Sequence, residues 1–181
     1  MSLLTKEPTK VKLVAALMAQ SEELIGEALF ALEPDFGAPD LSSPTFWFTH
    51  SDYYRDEMGK RLVKRFCSFD ELVDPGDIMN LKLKAIACEK EFLAQDTLGR
   101  TVNIDPGYLD RMKLVLSTTK NASHRIYIGN GIYGNVELIY RSGAFTCLEW
   151  TYPDYRESLA LGFFREVREK YLGQLRSEGP V

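Results

Sequence analysis

The sequence predicts an α+β domain with a ferredoxin-like β-α-β-β-α-β core. Its sheet is largely antiparallel, and a helix, a three-stranded meander and a C-terminal helix are added to that core. Three observations predict it. Short apolar runs of strand length alternate with longer segments whose apolar residues recur at helical spacing. The pairs Asp74-Pro75 and Asp105-Pro106 have the form of helix starts, with Asp as N-cap and Pro at the first helical position. Asn130-Gly131 and Ser142-Gly143 punctuate the region from His124 to Trp150 as hairpin turns.

Taken in order, residues 1–10 read as a flexible arm, 11–173 as a single α+β domain and 174–181 as a frayed tail. Val11–Ala19 is the first strand. Lys6, Lys10 and Lys12 before Leu13–Ala19 imitate a signal peptide. Glu7 sits in the basic region, however, and Leu17 and Ala19 make a poor cleavage site, so the run is read as a buried strand. No other apolar run approaches membrane-spanning length. Ser21 caps a helix with Glu22 and Glu23 in its first turn and Leu24, Ala28, Ala31 and Leu32 on one face, ending before Glu33-Pro34-Asp35-Phe36-Gly37. Phe46–Thr49 and Leu62–Phe69 are the next strands. Asp74 opens a helix to about Leu93 with the stripe Ile78, Leu81, Ala85, Cys88 and Phe92. Thr101–Ile104 is a short strand, and Asp105 opens a further helix through Leu109, Met112 and Leu116. The meander follows, either extending the first sheet or forming a second. Asp154 and Glu157 form a capping box for a terminal helix carrying Ala160, Phe164, Val167 and Tyr171.

The chain has 181 residues, 45% hydrophobic and 27% charged. It is long enough to bury about 70% of its unfolded surface without staples. A net charge of −4 disfavours nucleic-acid binding, which needs a basic footprint. The densest basic cluster, Lys60, Arg61, Lys64 and Arg65, would straddle both faces of a strand and is read as solvated. Cys67, Cys88 and Cys147 are odd in number and far apart in sequence. They point to buried thiols in a reducing, cytoplasmic compartment rather than to a disulfide framework or a zinc knuckle.

Gly129-x-Gly131-x-x-Gly134 could cradle a phosphate, but a strand follows it rather than a helix, so a hairpin is the simpler reading. No Walker loop, Gly-x-Ser-x-Gly elbow or Cys–His protease signature occurs. Asp74, Asp105 and Asp154 each stand where a helix needs a cap, and such helix starts also suit an anion. His50 and His124 lie at predicted strand ends. Neither completes a His-x-Ser/Thr motif, and no ligand spacing supports a metal through His50, Asp52 and His124. No motif identifies a cofactor.

The catalytic candidates are therefore His124, as general acid–base, and Asp105. The ligand-binding candidates are Arg125, Tyr127, Tyr108, Asp154, Tyr155, Arg156, His50, Asp52 and Tyr53, because Tyr with Arg suits a planar anionic group. The expected partner is a small phosphate- or carboxylate-bearing ligand. The same Tyr/Arg-rich loops would also suit a non-enzymatic protein-interaction module.

Several strings taken together resemble a bacterial family of domains of unknown function, over nearly the whole chain. They are Phe48-x-x-Ser51-Asp52-Tyr53-Tyr54 with Glu57-Met58-Gly59, Asn103-Ile104-Asp105-Pro106-Gly107-Tyr108-Leu109, Thr118-Thr119-Lys120, Ser123-His124-Arg125-Ile126-Tyr127-Ile128-Gly129 with Gly131-Ile132-Tyr133, and Trp150-Thr151-Tyr152-Pro153-Asp154-Tyr155. Some members of that family carry a GTP-binding label, which the missing Walker loop does not support here. The resemblance implies no activity. It implies that the Asp-Pro-Gly-Tyr, His-Arg-Ile-Tyr and Tyr-Pro-Asp-Tyr segments are candidates for one shared site.

Overall fold

The structure is a computed structural model and describes residues 6–51, 54–94 and 99–177. Asp52 and Tyr53 lie outside the described residues. The strands are β1 (Val11–Ala19), β2 (Pro39–Ser42), β3 (Phe46–Phe48), β4 (Leu62–Val73), β5 (Val102–Leu109), β6 (Lys113–Thr118), β7 (Arg125–Gly129), β8 (Ile132–Arg141) and β9 (Ala144–Cys147). The helices are α1 (Glu22–Phe36), α2 (Arg55–Met58), α3 (Ile78–Glu91) and α4 (Ser158–Ser177). The strands form one open sheet in the order β2-β4-β1-β5-β6-β8-β7, with β3 also pairing β4 and β9 pairing β8. Every ladder among the described strands is antiparallel. The meander thus extends the first sheet.

β1 is buried along its whole length because helices cover both faces of the sheet. Leu13, Ala15, Leu17 and Ala19 pack with Ile25, Ala28, Leu32 and Phe36 of α1 and Leu81, Ala85 and Cys88 of α3. Val14 and Ala16 face the other way, with Phe66, Leu109, Leu114, Leu116 and Leu138, against Phe163, Phe164, Val167, Tyr171 and Leu175 of α4. Each fully buried side chain of this size contributes about 1.5–3 kcal/mol. Ser21 caps α1 by accepting from the Leu24 N–H. The helix runs on through Pro34, past the expected end, because only the last turn loses a donor. Phe36 anchors that turn edge-on to Phe69, and Gly37 N–H closes it on the Glu33 carbonyl.

The two Asp-Pro pairs diverge. Asp74 does cap, accepting from Gly76 N–H ahead of a short 3-10 turn and α3. Asp105-Pro106 starts no helix: it lies inside β5, and the chain continues through β6 where the added helix was expected. A proline fits there because β5 pairs with β6 only over Gly107–Leu109, so the missing N–H falls on an open edge. Asp154 is not the cap of α4 either. It sits in a 3-10 turn, Pro153–Arg156, and its carboxylate is held by Lys64. Lys64 itself is buried, not solvated. β2 was not expected, since its Pro-Asp composition imitates a loop. Its Asp40 accepts from the fully buried Lys12, from Ser68 and from Lys170. α4 continues to Ser177, with Leu175 buried and Gln174 bonded to Lys12 and to the Asp70 carbonyl.

Candidate functional site

Where β5 leaves β6, the sheet splits, and side chains of α3 take over the exposed strand edge. Ile104 N–H donates to Glu89 Oε1 at 2.6 Å, and the Ile104 carbonyl accepts from Lys82 Nζ at 2.7 Å. Both α3 residues are buried, at 7% and 4% exposure. Burial raises the pKa of Glu89 against the pull of Lys82 and Arg100. A Cβ on Gly107 would lie 2.3 Å from the Val115 carbonyl, so the closed end of the split needs glycine.

A cavity of about 290 Å³ opens over this split, on the α4 face. Its floor includes a row across three strands, Lys64 of β4 and Asn103 of β5 flanking Met18 of β1, and Asp105 lies two residues on from Asn103 along β5. Lys64 Nζ donates to Asp154 Oδ2 at 2.6 Å, and Lys82 Nζ to Asp105 Oδ1 at 3.1 Å. Asn103 Nδ2 donates to the other Asp105 oxygen at 2.7 Å. Burial works against the Asp105 carboxylate, but Lys82 first and Lys64 next outweigh it and hold its pKa below the ordinary value. Acid and base thus alternate along the wall: Asp154, Lys64, Asp105, Lys82. The Lys64 ammonium also lies 5.4 Å from the Phe48 ring centre and 5.0 Å from that of Tyr155.

The remaining walls come from His50, Tyr54, Arg100, Ser117–Lys120, Asn135 and Tyr152–Tyr155. The Tyr152–Tyr155 segment is fixed from several sides. Arg156 donates to the carbonyls of Leu148, Glu149 and Thr151. Trp150 Nε1 donates to the Val136 carbonyl and Thr151 Oγ1 to the Glu137 carbonyl. Glu137 Oε1 accepts from Tyr152 N–H. Glu137 is free to do this because the β6–β8 ladder skips it: Leu114 pairs with Leu138 and Val115 with Val136. Burial pushes its pKa up to about 7, with Asp154 adding to the rise. Arg125 donates to Tyr152 Oη at 2.7 Å and to the Lys120 carbonyl at 2.9 Å.

The structure brings four of the sequence candidates to the cavity: Asp105, Asp154, Tyr155 and His50. Arg125 stands behind Tyr152, and Arg156 is committed to backbone carbonyls. His124 stacks on Trp150 at 5.0 Å and is not part of the cavity wall. Tyr127 is 60% exposed beside Tyr133, and Tyr108 lines a separate hollow with Asp110, Arg111 and Tyr171. Gly129 and Gly131 shape a hairpin turn, with Asn130 and Gly131 at positive φ. Sequence reasoning missed Lys64, Lys82, Asn103, Asn135 and Glu137. Lys82 and Glu89 did carry a signal. They stand four residues after Ile78 and Ala85, and so fall within the apolar stripe of α3. Among the described residues no cluster of His, Cys, Asp and Glu could hold a metal ion, and no helix is long and apolar enough to cross a membrane.

The chain belongs to the family described as Domain of unknown function (DUF4416), whose profile matches residues 9–171. No curated protein and no solved structure matches it.

Proposed function

We propose that this DUF4416 domain binds, or acts on, a small molecule carrying a phosphate or carboxylate group, in the cavity over the β5–β6 split. The observation that carries this reading is the alternating array Asp154–Lys64–Asp105–Lys82 at the cavity wall. Taking each such charge out of water costs several kcal/mol, and an apolar pair of similar volume would serve stability as well or better. An ammonium has three donors. Lys64 spends one on Asp154 and Lys82 spends two, on Asp105 and the Ile104 carbonyl, among the described residues. Donors remain for oxygens of a ligand. Lys120 at the cavity mouth adds a further cation.

The cavity approaches the lower size range of small-molecule sites. The order β2-β4-β1-β5, with α1 and α3 on one face, supports a ferredoxin-like reading of the first half. Buried free thiols at Cys67 and Cys88 support a reducing, cytoplasmic setting.

A thermal-shift series with inorganic phosphate, sugar phosphates, nucleotides and small carboxylates tests the reading. A ligand at one hundred times its Kd stabilises by about 2.7 kcal/mol, which raises Tm by about 5–10 °C in a chain of this size. The shift should shrink in Lys120→Ala, whose side chain lies at the exposed mouth. No shift with any anion overturns the reading. In that case the exposed Ile126 and Tyr127 on edge strand β7, 72% and 60% exposed, would favour a protein-docking role.

A further inference from the structure

Asn135 is 1% exposed, lines the cavity, and lies across the β6–β8 ladder from Leu116. Its Nδ2 donates to Glu137 Oε2 at 2.6 Å, while its Oδ1 has no hydrogen-bond partner among the described residues. A buried carbonyl left in this state costs about 1–3 kcal/mol.

Rotating the amide does not relieve it while Glu137 is ionised. Oδ1 would then face a carboxylate oxygen, acceptor against acceptor. The carboxylate cannot turn away without cost, because its other oxygen holds the Tyr152 N–H. The Ser117 hydroxyl, on the strand paired with Asn135, is committed as well: its Oγ donates to the Pro106 carbonyl. The cavity therefore presents two opposite demands. Lys64 and Lys82 can only donate, and Asn135 Oδ1 can only accept.

Resting on the anion-binding reading of the same cavity, we infer that the ligand carries a hydroxyl or amino hydrogen besides its anionic group, and that Asn135 Oδ1 receives it. The ligand class is then a hydroxylated phosphate, or a hydroxy- or amino-carboxylate, rather than a bare anion. A site built to accept such a hydrogen discriminates strongly against an analogue that lacks it, because the carbonyl is then left unpaired.

Matched pairs test this by titration calorimetry on the full chain at about pH 8, where Glu137 is ionised. The pairs are hydroxyethyl against ethyl phosphate, hydroxypropyl against propyl phosphate, and glycolate and glycine against acetate. In at least one pair the hydroxyl or amino member should bind about tenfold tighter. The gap should close in Asn135→Ala. If both members of every pair bind equally, the anion site stands and the inference falls, with a water satisfying Oδ1 instead. An undiminished gap in Asn135→Ala assigns the hydrogen to another acceptor and also overturns the inference. If no member of any pair binds, the anion-binding reading itself fails. The wild-type pairs decide the question even if Asn135→Ala does not fold.

Discussion

Lys64 and Asp154 are separated by 90 residues in the chain and meet at 2.6 Å, with side chains only 8% and 4% exposed. The pair ties β4 to the segment entering α4. Removing one partner strands the other charge. Lys64→Met and Asp154→Leu should each cost about 3–5 kcal/mol in urea unfolding. The double variant should come within about 1 kcal/mol of wild type, since an apolar pair has no charge to desolvate. Additive losses in the double variant would show that the partners act separately.

Glu137 titrates near 7 in the folded protein, well above an unfolded glutamate. Between these two values the folded state holds a proton that the unfolded state has released, so stability falls as pH rises. The contribution is fully present below about pH 4.5 and lost by about pH 8, roughly 3 kcal/mol in all. Glu137→Gln should flatten this part of the profile relative to wild type. Identical slopes for the two proteins between pH 5 and 8 would remove Glu137 as the cause.

Gly107 and Gly131 are constrained for different reasons, and alanine separates them. At Gly107 the new Cβ meets the Val115 carbonyl at 2.3 Å, backbone that cannot yield cheaply, and the Leu116 side chain at 2.8 Å. Gly107→Ala should cost about 3 kcal/mol or more. At Gly131 nothing lies within 4 Å, and only a φ of +77° opposes a side chain. Gly131→Ala should cost about 1 kcal/mol. Equal costs would contradict the close approach of β5 to β6.

Asp40 accepts from Lys12, Ser68 and Lys170, and these bonds outweigh its burial to hold its pKa below the ordinary carboxylate value. The stability it contributes is present above the unfolded pKa of about 3.9 and is lost as pH falls through the folded value. Asp40→Ala should destabilise more than Lys12→Met at neutral pH. The first leaves a fully buried ammonium with only the neutral acceptors Gln174 and the Asp70 carbonyl, whereas the second leaves the carboxylate with Lys170 and Ser68. Chemical denaturation of the two variants gives the order.

His124 stacks on Trp150 at an interplanar angle of 10°, outside the cavity wall. His124→Ala should lower stability by about 1 kcal/mol and leave the affinity for any cavity ligand unchanged. A large loss of affinity would return His124 to the site as the sequence proposed.

What the sequence made legible depended on whether the deciding contact was local. Ser21 capping α1 and the Asn130-Gly131 turn are settled within a few residues, and both were readable. Asp74-Pro75 and Asp105-Pro106 are the same dipeptide with opposite outcomes. The difference lies in what each meets: Asp74 finds Gly76 N–H, while Asp105, held beside Asn103 on β5, finds Lys82 of α3, 23 residues away in the chain. The candidate site was half legible for the same reason. Its carboxylates stood out as Asp-Pro and Pro-Asp strings, but their lysine partners lie far off in the chain on β4 and α3, and of the two only Lys82, within the α3 stripe, carried a sign of burial. Glu137 was invisible because only a one-residue slip between β6 and β8 turns it inward.

The split between β5 and β6 also has a mechanical side. Among the described residues one short ladder, Gly107, Tyr108 and Leu109 opposite Leu116, Val115 and Leu114, is the only strand pairing that joins the leaf β2-β4-β1-β5 to the leaf β6-β8-β7. The sheet is thus a book with a short spine, and the cavity lies where the pages part. Lys82 and Asp105 belong to one page and Ser117 and Asn135 to the other, so whatever fills the gap bridges both. An occupant would stiffen the spine, and slower amide exchange at Tyr108 and its partner Val115 would record it.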